Sequence, residues 1–247
     1  MEERKQKEIE YYNKKAKEQL GTEGDFEGFN SFVLASYRFL KEKTQDLIKD
    51  KKVLDYGCGN GIHSSWLAKS AQKVIAIDLS GKSLNIARGR VTKVKFLKMD
   101  CENLDFENNS FDVVFDGGTF SSLDIEKAFS EIARVLKPDG CLIGIETFGH
   151  NPLTNLKRKI NKKTGRRTEW AAEHIFKAKD LDLAKKFFKE IQIYYFHMIS
   201  WLAIPFLNFP GGKILLRFLE AVDSLLKPFF KKYSFKIVFI FKNPKKV

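Results

Sequence analysis

Gly57, Gly59 and Gly61 follow the apolar run Val53-Leu54 and the carboxylate Asp55, and they precede a stretch with helical periodicity. Glycine suits that turn because it takes tight backbone angles and lets a ligand approach the main chain. A dinucleotide fingerprint would read Gly-x-Gly-x-x-Gly, but Ile62 stands where its third glycine would fall. No Gly-Lys-Ser/Thr follows, which excludes a P-loop. Downstream, a second apolar run ends in Asp78. An acidic side chain at such a strand end can accept hydrogen bonds from both hydroxyls of a ribose.

These groups must be held by regular elements, and the chain supplies them in alternation. Lys52–Asp55, Lys73–Asp78, Val94–Met99, Phe111–Phe115 and Cys141–Glu146 read as strands. Ile62–Ser70, Ser83–Arg90 and Ile125–Leu136 read as helices, and Lys137-Pro138-Asp139-Gly140 as a turn. This spacing predicts a parallel sheet covered on both faces. Residues 1–20 read as a charged helix, and Phe29–Leu47 as a second helix with Phe32, Tyr37, Phe39, Leu40 and Leu47 roughly on one side. After Thr147 the texture changes. Residues 151–168 read as a basic loop, Lys179–Phe187 as a helix, and Glu190–His197 and Phe235–Phe241 as strands. An insertion from about Ser200 to Tyr233 separates the last two. Its second half, Lys213–Lys231, is amphipathic: Lys213, Arg217, Glu220, Ser224, Lys227 and Lys231 recur in steps of four and three, with bulky apolar residues between.

The pattern Asp-x-Gly-x-Gly-x-Gly from Asp55 resembles the first motif of class I S-adenosylmethionine methyltransferases. Met99-Asp100-Cys101-Glu102-Asn103-Leu104 is similar to the adenine-binding segment of that family. Phe111–Gly118 resembles its fourth motif, and Leu136–Gly140 the turn before its fifth strand. The resemblance is close over residues 50–150. It implies S-adenosyl-L-methionine as cofactor, S-adenosyl-L-homocysteine as product, and a cofactor site of Asp55, Gly57, Gly59, Gly61, Asp78, Leu79, Asp100, Cys101 and Asp116. Asp55 would lie near the methionine part and Asp78 on the ribose. Asp100 would accept from the adenine amino group, beside the Cys101 backbone at the ring edge. The fold implied is α/β, doubly wound, with a mostly parallel seven-stranded sheet. Residues 1–48 would form an N-terminal helical cap in which Tyr11 and Tyr12 close over the cofactor. Residues 49–150 would form the cofactor-binding core, and 151–247 the substrate side with a helical insertion before the last strand.

Methyl transfer is an in-line displacement from a sulfonium, so a base is needed only when the acceptor must lose a proton. The chain has four histidines. His63 follows the glycine turn and reads as structural or cofactor-adjacent; His197, inside an apolar strand, reads as a satisfied core residue. Glu146–Leu153, Asn155–Arg158, Arg167-Thr168, Glu173-His174 and Asp180-Leu181 resemble one branch of the type 11 methyltransferases, met in lipid, polyketide and surface-glycan pathways. The branch commonly carries proline where Ile175 stands here. His174 and His150 are the general-base candidates, and Arg158 and Arg167 could clamp a phosphate or carboxylate bidentately.

Charge divides the 247 residues unevenly. Residues 1–150 carry 23 Lys and Arg against 24 Asp and Glu, and residues 151–247 carry 21 against 7, so the whole net charge of +13 arises in the second part. A basic, aromatic segment suggests an anionic partner, either a membrane surface or nucleic acid. Helix Lys213–Lys231 has the make-up of interfacial helices. Trp201, Phe206, Phe209, Phe229 and Phe230 are residue types that settle at headgroup depth. Nucleic acid is the weaker choice, because Asp116-Gly117-Gly118-Thr119 differs from the Asn/Asp-Pro-Pro-aromatic segment of amino-methylating DNA methylases. Three scattered cysteines, Cys58, Cys101 and Cys141, suit neither a disulfide framework nor a metal site and point to a reducing compartment. Met1–Glu10 has no apolar core and reads as no signal peptide. Ile193–Leu207 is short for a membrane span and is interrupted by His197 and Pro205. The combined expectation is an O-methyltransferase for a small-molecule or lipid-linked acceptor, cytoplasmic and peripheral on the inner membrane face. An RNA methyltransferase and a non-catalytic cofactor-binding module are the alternatives.

Overall fold

The computed structural model describes residues 2–19, 34–164 and 167–245. Its centre is β1 (Lys52–Tyr56), where four of five residues are buried without alternation, as in a strand covered on both faces. β2 (Lys73–Asp78) and β3 (Lys95–Lys98) lie to one side of it, and β4 (Phe111–Asp116) and β5 (Leu136–Thr147) to the other, all parallel. β6 (Phe188–Phe196) and β7 (Lys236–Pro244) complete a seven-stranded sheet ordered β3-β2-β1-β4-β5-β7-β6, with β7 antiparallel to both neighbours. The doubly wound, mostly parallel fold expected from the sequence is the fold observed.

Each face of the sheet has its own core. One, under α5 (Ile125–Val135) and α8 (Ala178–Phe187), collects Leu54, Tyr56, Val114 and a stack of phenylalanines. Phe239 and Phe241 stand 4.8 Å apart between ring centroids, and Phe120 and Phe239 5.8 Å. Much of the phenylalanine content is therefore core. The other core joins Val53, Val113 and Ile143 to α2 (Ala35–Ile48), α3 (Ile62–Leu67) and α4 (Gly81–Arg90). At the N-terminus α1 (Glu3–Gln19) lies across the carboxyl end of the sheet, where Ser80 Oγ donates to Asn13 Oδ1 at 2.8 Å.

Two expectations are corrected. Residues 151–168 are not a loop: α6 (Pro152–Lys163) occupies most of that stretch, and α7 (Glu169–Glu173) follows directly on it. Asn151 caps the first, its Oδ1 accepting from Thr154 N, and Thr168 caps the second, its Oγ1 accepting from Ala171 N. The cap residues are the helix-start signal that a lysine-rich, weakly periodic sequence otherwise hides. Lys137–Gly140 is not a free turn before the fifth strand. Leu136 already pairs with Phe111 and Cys141 with Val113, so the four residues bulge from a strand that starts at Leu136. The second helix begins at Ala35; residues 29–33, where the sequence places its start, lie outside the described residues. The insertion holds a 3-10 turn (Ser200–Phe206), α9 (Gly212–Phe230) and a short 3-10 turn, Lys231–Tyr233.

Candidate active site

A cavity of about 310 Å³ opens at the carboxyl ends of β1, β2, β4 and β5, where open α/β sheets hold their ligands. Its floor is the glycine turn. Gly57, Gly59 and Gly61 all take left-handed backbone angles, with φ of 69°, 52° and 77°. Gly57 also lacks room, since a Cβ there would lie 2.3 Å from Thr119 Oγ1, whereas Gly59 faces open space. Cys58 N donates to Ile77 O at 2.8 Å and Gly59 N to Asp78 Oδ2 at 2.9 Å, so the turn is tied to the end of β2. Ser80 N donates to Asp78 Oδ1 at 2.7 Å. Burial raises the Asp78 carboxyl above its ordinary range, and the backbone N–H groups of Ser80 and Gly59 oppose that shift.

Of the sequence-predicted cofactor residues, Gly57, Gly59, Asp78, Leu79, Asp100 and Cys101 line the cavity. Asp55, Gly61 and Asp116 do not; they lie behind it. Asp55 is buried and accepts from Ser64 Oγ, joining β1 to α3. Burial pushes its carboxyl up to about 7, with the Ser64 hydroxyl working against the shift and the Asp78 charge adding to it. Gly61 packs against Ala87 of α4. Asp116 accepts from Gly118 N and Thr119 N and so shapes the turn after β4. Burial, followed by the charge of Glu146, holds its carboxyl well above the carboxylate range. Asp116 thus ends on the backbone of the turn it braces, and Asp55 on the Ser64 hydroxyl of α3.

α1 roofs the cavity. Lys5 Nζ lies 2.7 Å from Asp100 Oδ2 and 3.0 Å from Glu102, while Arg4 reaches Glu102 at 2.6 Å. The carboxylate expected to meet an adenine amino group thus already faces a lysine. The Cys101 carbonyl accepts from Tyr56 OH at 2.6 Å. Tyr11 and Tyr12 line the roof, and Tyr12 OH lies 3.3 Å from Ser122 Oγ. The Thr168 hydroxyl donates to Glu8, pinning α7 to α1.

The other half of the cavity is built from residues that carried no role in the sequence reading. Tyr37, Thr119, Glu146 and Lys236 meet there beside His63 and Arg167. Glu146 is the next-to-last residue of β5, where its carboxylate accepts from Phe120 N at 2.7 Å and Thr147 N at 3.1 Å. Burial raises its carboxyl, opposed by the charge of Lys236. Lys236 Nζ lies 5.3 Å from the centroid of the Tyr37 ring and 3.4 Å from its hydroxyl. Arg167 Nη2 donates to Ser121 Oγ at 2.6 Å. Glu146 stood in a quoted motif, and its position at a strand's carboxyl end was the available signal. Tyr37 and Lys236 are local to nothing in sequence and carried none.

The two histidines expected as bases lie away from the cavity wall. His174 caps the end of α7, stacked 3.6 Å from the Trp170 ring with Nδ1 3.0 Å from Trp170 O, exposed and away from the cavity wall. His150 Nε2 accepts from Ala178 N at 3.0 Å and its ring packs on Phe148. Burial, with Lys177 and Lys232 nearby, lowers its pKa. It does not line the cavity either. His150 lies between β5 and α6, and His174 at the end of α7, where these contacts hold both rings away from the cavity. His197 is a satisfied core residue between Ser200 Oγ and Ser36 Oγ, with burial lowering its pKa to about 3. Arg158 is 8% exposed, gives Nη1 to Asn155 Oδ1 and leaves Nη2 without a partner. Burial and then Arg167 bring its pKa down to about 10. Only Arg167 of the expected arginine pair reaches the cavity wall.

A sheet in this order, with a left-handed glycine turn after β1 and carboxylates at the carboxyl ends of β2 and β5, defines the class I methyltransferase fold. Residues 54–144 match the family model described as a methyltransferase domain. The ubiquinone/menaquinone biosynthesis C-methyltransferase UbiE of Campylobacter jejuni is 34% identical over 108 residues, 40% of this chain and 46% of that protein. The demethylmenaquinone methyltransferase of Chlorobaculum tepidum is 37% identical over 100 residues, 40% and 41% of the two chains. The chain spans less than half the length of these curated relatives. Among solved structures, a Haemonchus contortus phosphoethanolamine N-methyltransferase 2 in complex with S-adenosyl-L-methionine superposes with a TM-score of 0.60 at 18% identity, over 86% of this chain and 54% of that one. The [4+2]-cyclase SpnF superposes with a TM-score of 0.56 at 19% identity, over 85% and 82%. Likeness at that level establishes the fold, and a cyclase among the neighbours illustrates that fold alone does not choose a reaction.

Proposed function

We propose that this chain transfers the methyl group of S-adenosyl-L-methionine to a small or lipid-linked acceptor. The reading rests on one arrangement: the glycine turn, Asp78 and Asp100 on one side of the cavity, and Glu146, Arg167 and Lys236 on the other. The donor set fits an adenosyl ligand. Each oxygen of Asp78 accepts one backbone N–H, and a carboxylate oxygen has a second lone pair for a ribose hydroxyl. The bound cofactor supplies an electrophilic methyl group on a sulfonium.

The protein's own part is alignment and removal of water. α1 closes the cavity through Tyr11 and Tyr12, and Arg167 is available for an anionic group of the acceptor. Glu146, with its carboxyl raised by burial, takes the acceptor's proton. The acceptor's bond to the methyl carbon forms as the carbon–sulfur bond breaks, and that electron pair stays on sulfur. A hydroxyl is the acceptor group this base suits, giving O-methylation. The names of the quinone-pathway relatives favour a second reading, methylation of a ring carbon, which needs the same proton acceptor. The test is calorimetry with S-adenosylhomocysteine, followed by labelled-donor turnover on extracted lipids and quinone precursors. The methyl carbon shift of the product separates oxygen from carbon. Absence of nucleoside binding would end the proposal.

A further inference from the structure

α9 is mounted with its apolar side outward. Its inward side carries Leu216, packed with Leu34, Ala203 and Leu207, and also two carboxylates. Asp223 is buried and accepts from Met198 N at 3.1 Å, Ile199 N at 2.8 Å and Ser200 N at 3.3 Å, holding the start of the preceding 3-10 turn. Glu220 accepts from Ala35 N at 3.0 Å and pairs with Arg38 at 3.2 Å. The polar residues that would normally face water are thus spent on the protein. Ile214, Phe218, Leu225 and Phe229, on the opposite side of the helix, are 75%, 63%, 77% and 79% exposed. Phe206 and Phe209, just before the helix, add 52% and 65%. A surface helix ordinarily presents the reverse pattern, and a contiguous exposed apolar face of this kind marks an interaction site.

Charge says what covers it. With Glu220 and Asp223 turned inward, the exposed charged side chains of α9 are Lys213 and Arg217, and Lys231 and Lys232 follow at its end. They flank the apolar face in a part of the chain where basic residues outnumber acidic ones 21 to 7. Long basic side chains beside exposed phenylalanines suit an anionic lipid surface, where rings enter the acyl boundary and ammonium groups stay at the phosphates. Among the described residues no helix is long and apolar enough to cross a membrane, so α9 would lie along the surface. We propose that the outer face of α9, with Phe206 and Phe209, docks the protein on anionic phospholipid bilayers. Tyr37 packs against the same Leu34–Leu216 cluster and lines the cavity, so the inward side of α9 backs onto a residue of the cavity wall. The docking does not depend on the methyl-transfer reading.

The experiment is sedimentation of the full chain with vesicles of phosphatidylcholine, with and without phosphatidylglycerol. Binding is expected to the anionic vesicles, weakened by salt. Phe218→Asp and Leu225→Asp should each reduce the partition coefficient about tenfold or more, while thermal stability and nucleoside binding stay as in the wild type. Both sites are exposed, so folding is not at risk. A wild type that ignores anionic vesicles overturns the proposal, as does a variant that binds them undiminished. Light scattering that finds a dimer broken by the same substitutions also overturns it and makes the face a contact between copies.

Discussion

Gly57→Ala separates two constraints that the structure places on one atom. The backbone there is at φ 69°, and an L-residue in the left-handed region loses about 1–2 kcal/mol. The added Cβ would also stand 2.3 Å from Thr119 Oγ1, 2.5 Å from its Cγ2 and 2.9 Å from its Cβ. Relief of such overpacking costs about 1–3 kcal/mol, so the variant should lose about 2–5 kcal/mol in total. Thr119→Gly alone removes the hydroxyl that donates to Tyr56 O at 3.2 Å and adds backbone freedom, together about 1–2 kcal/mol. In the double variant the steric part disappears and the backbone part stays. The cycle should therefore close with a favourable coupling of about 1–3 kcal/mol. Urea denaturation of the four proteins measures it, with S-adenosylhomocysteine calorimetry as a second readout. Gly59→Ala is the control, since its φ is 52° but a Cβ meets nothing within 4 Å; only the backbone loss of about 1–2 kcal/mol should appear. Additive losses across the cycle, within about 0.5 kcal/mol, would refute the contact between the glycine turn and Thr119.

Four further outcomes are expected. Asp55, with its folded-state pKa raised to about 7, binds protons more tightly folded than unfolded, so its contribution is full below the unfolded value near 3.8 and is lost as pH rises through about 7; Asp55→Asn, which still accepts from Ser64, should flatten urea midpoints between about pH 4 and about pH 7, by no more than about 4 kcal/mol in stability. Asp78→Asn sets an amide N–H₂ against one of the two backbone donors and should weaken S-adenosylhomocysteine binding about tenfold to a hundredfold, read by calorimetry, without loss of the fold by circular dichroism. Glu146→Gln should slow single-turnover transfer to a hydroxyl acceptor about 10²–10⁴-fold while nucleoside affinity holds. His174→Ala and His150→Ala, both away from the cavity wall, should keep the single-turnover rate, and a large loss in either would return that histidine to the chemistry.

The strand series and the glycine turn were legible because their signals are local. A buried strand of a parallel sheet is a short apolar run, and a turn that needs left-handed angles shows its glycines in one stretch of nine residues, Val53–Gly61. Asp78 was legible for the same reason, as the last residue of such a run. Asp55 and Asp116 stand in the same motifs, but whether a carboxylate faces a ligand or braces the loop beneath it depends on side-chain direction. The two histidines offered as bases, His150 and His174, were not legible in this way: backbone and ring contacts to Ala178, Phe148 and Trp170 hold them away from the cavity wall, and only tertiary structure shows that.

From residue order alone came the alternation of strands and helices, the backbone angles of the ligand turn and the concentration of positive charge after residue 150, since each depends on neighbours in the chain. Tertiary contact decided the rest. Glu146, Tyr37 and Lys236 meet because strand order brings β5 and β7 together and packs α2 beside them, across more than a hundred residues of sequence. The outward face of α9 was also beyond reach: an amphipathic pattern states that a helix has two sides, and only the carboxylates anchored to Met198–Ser200 and Ala35 select which side meets the protein.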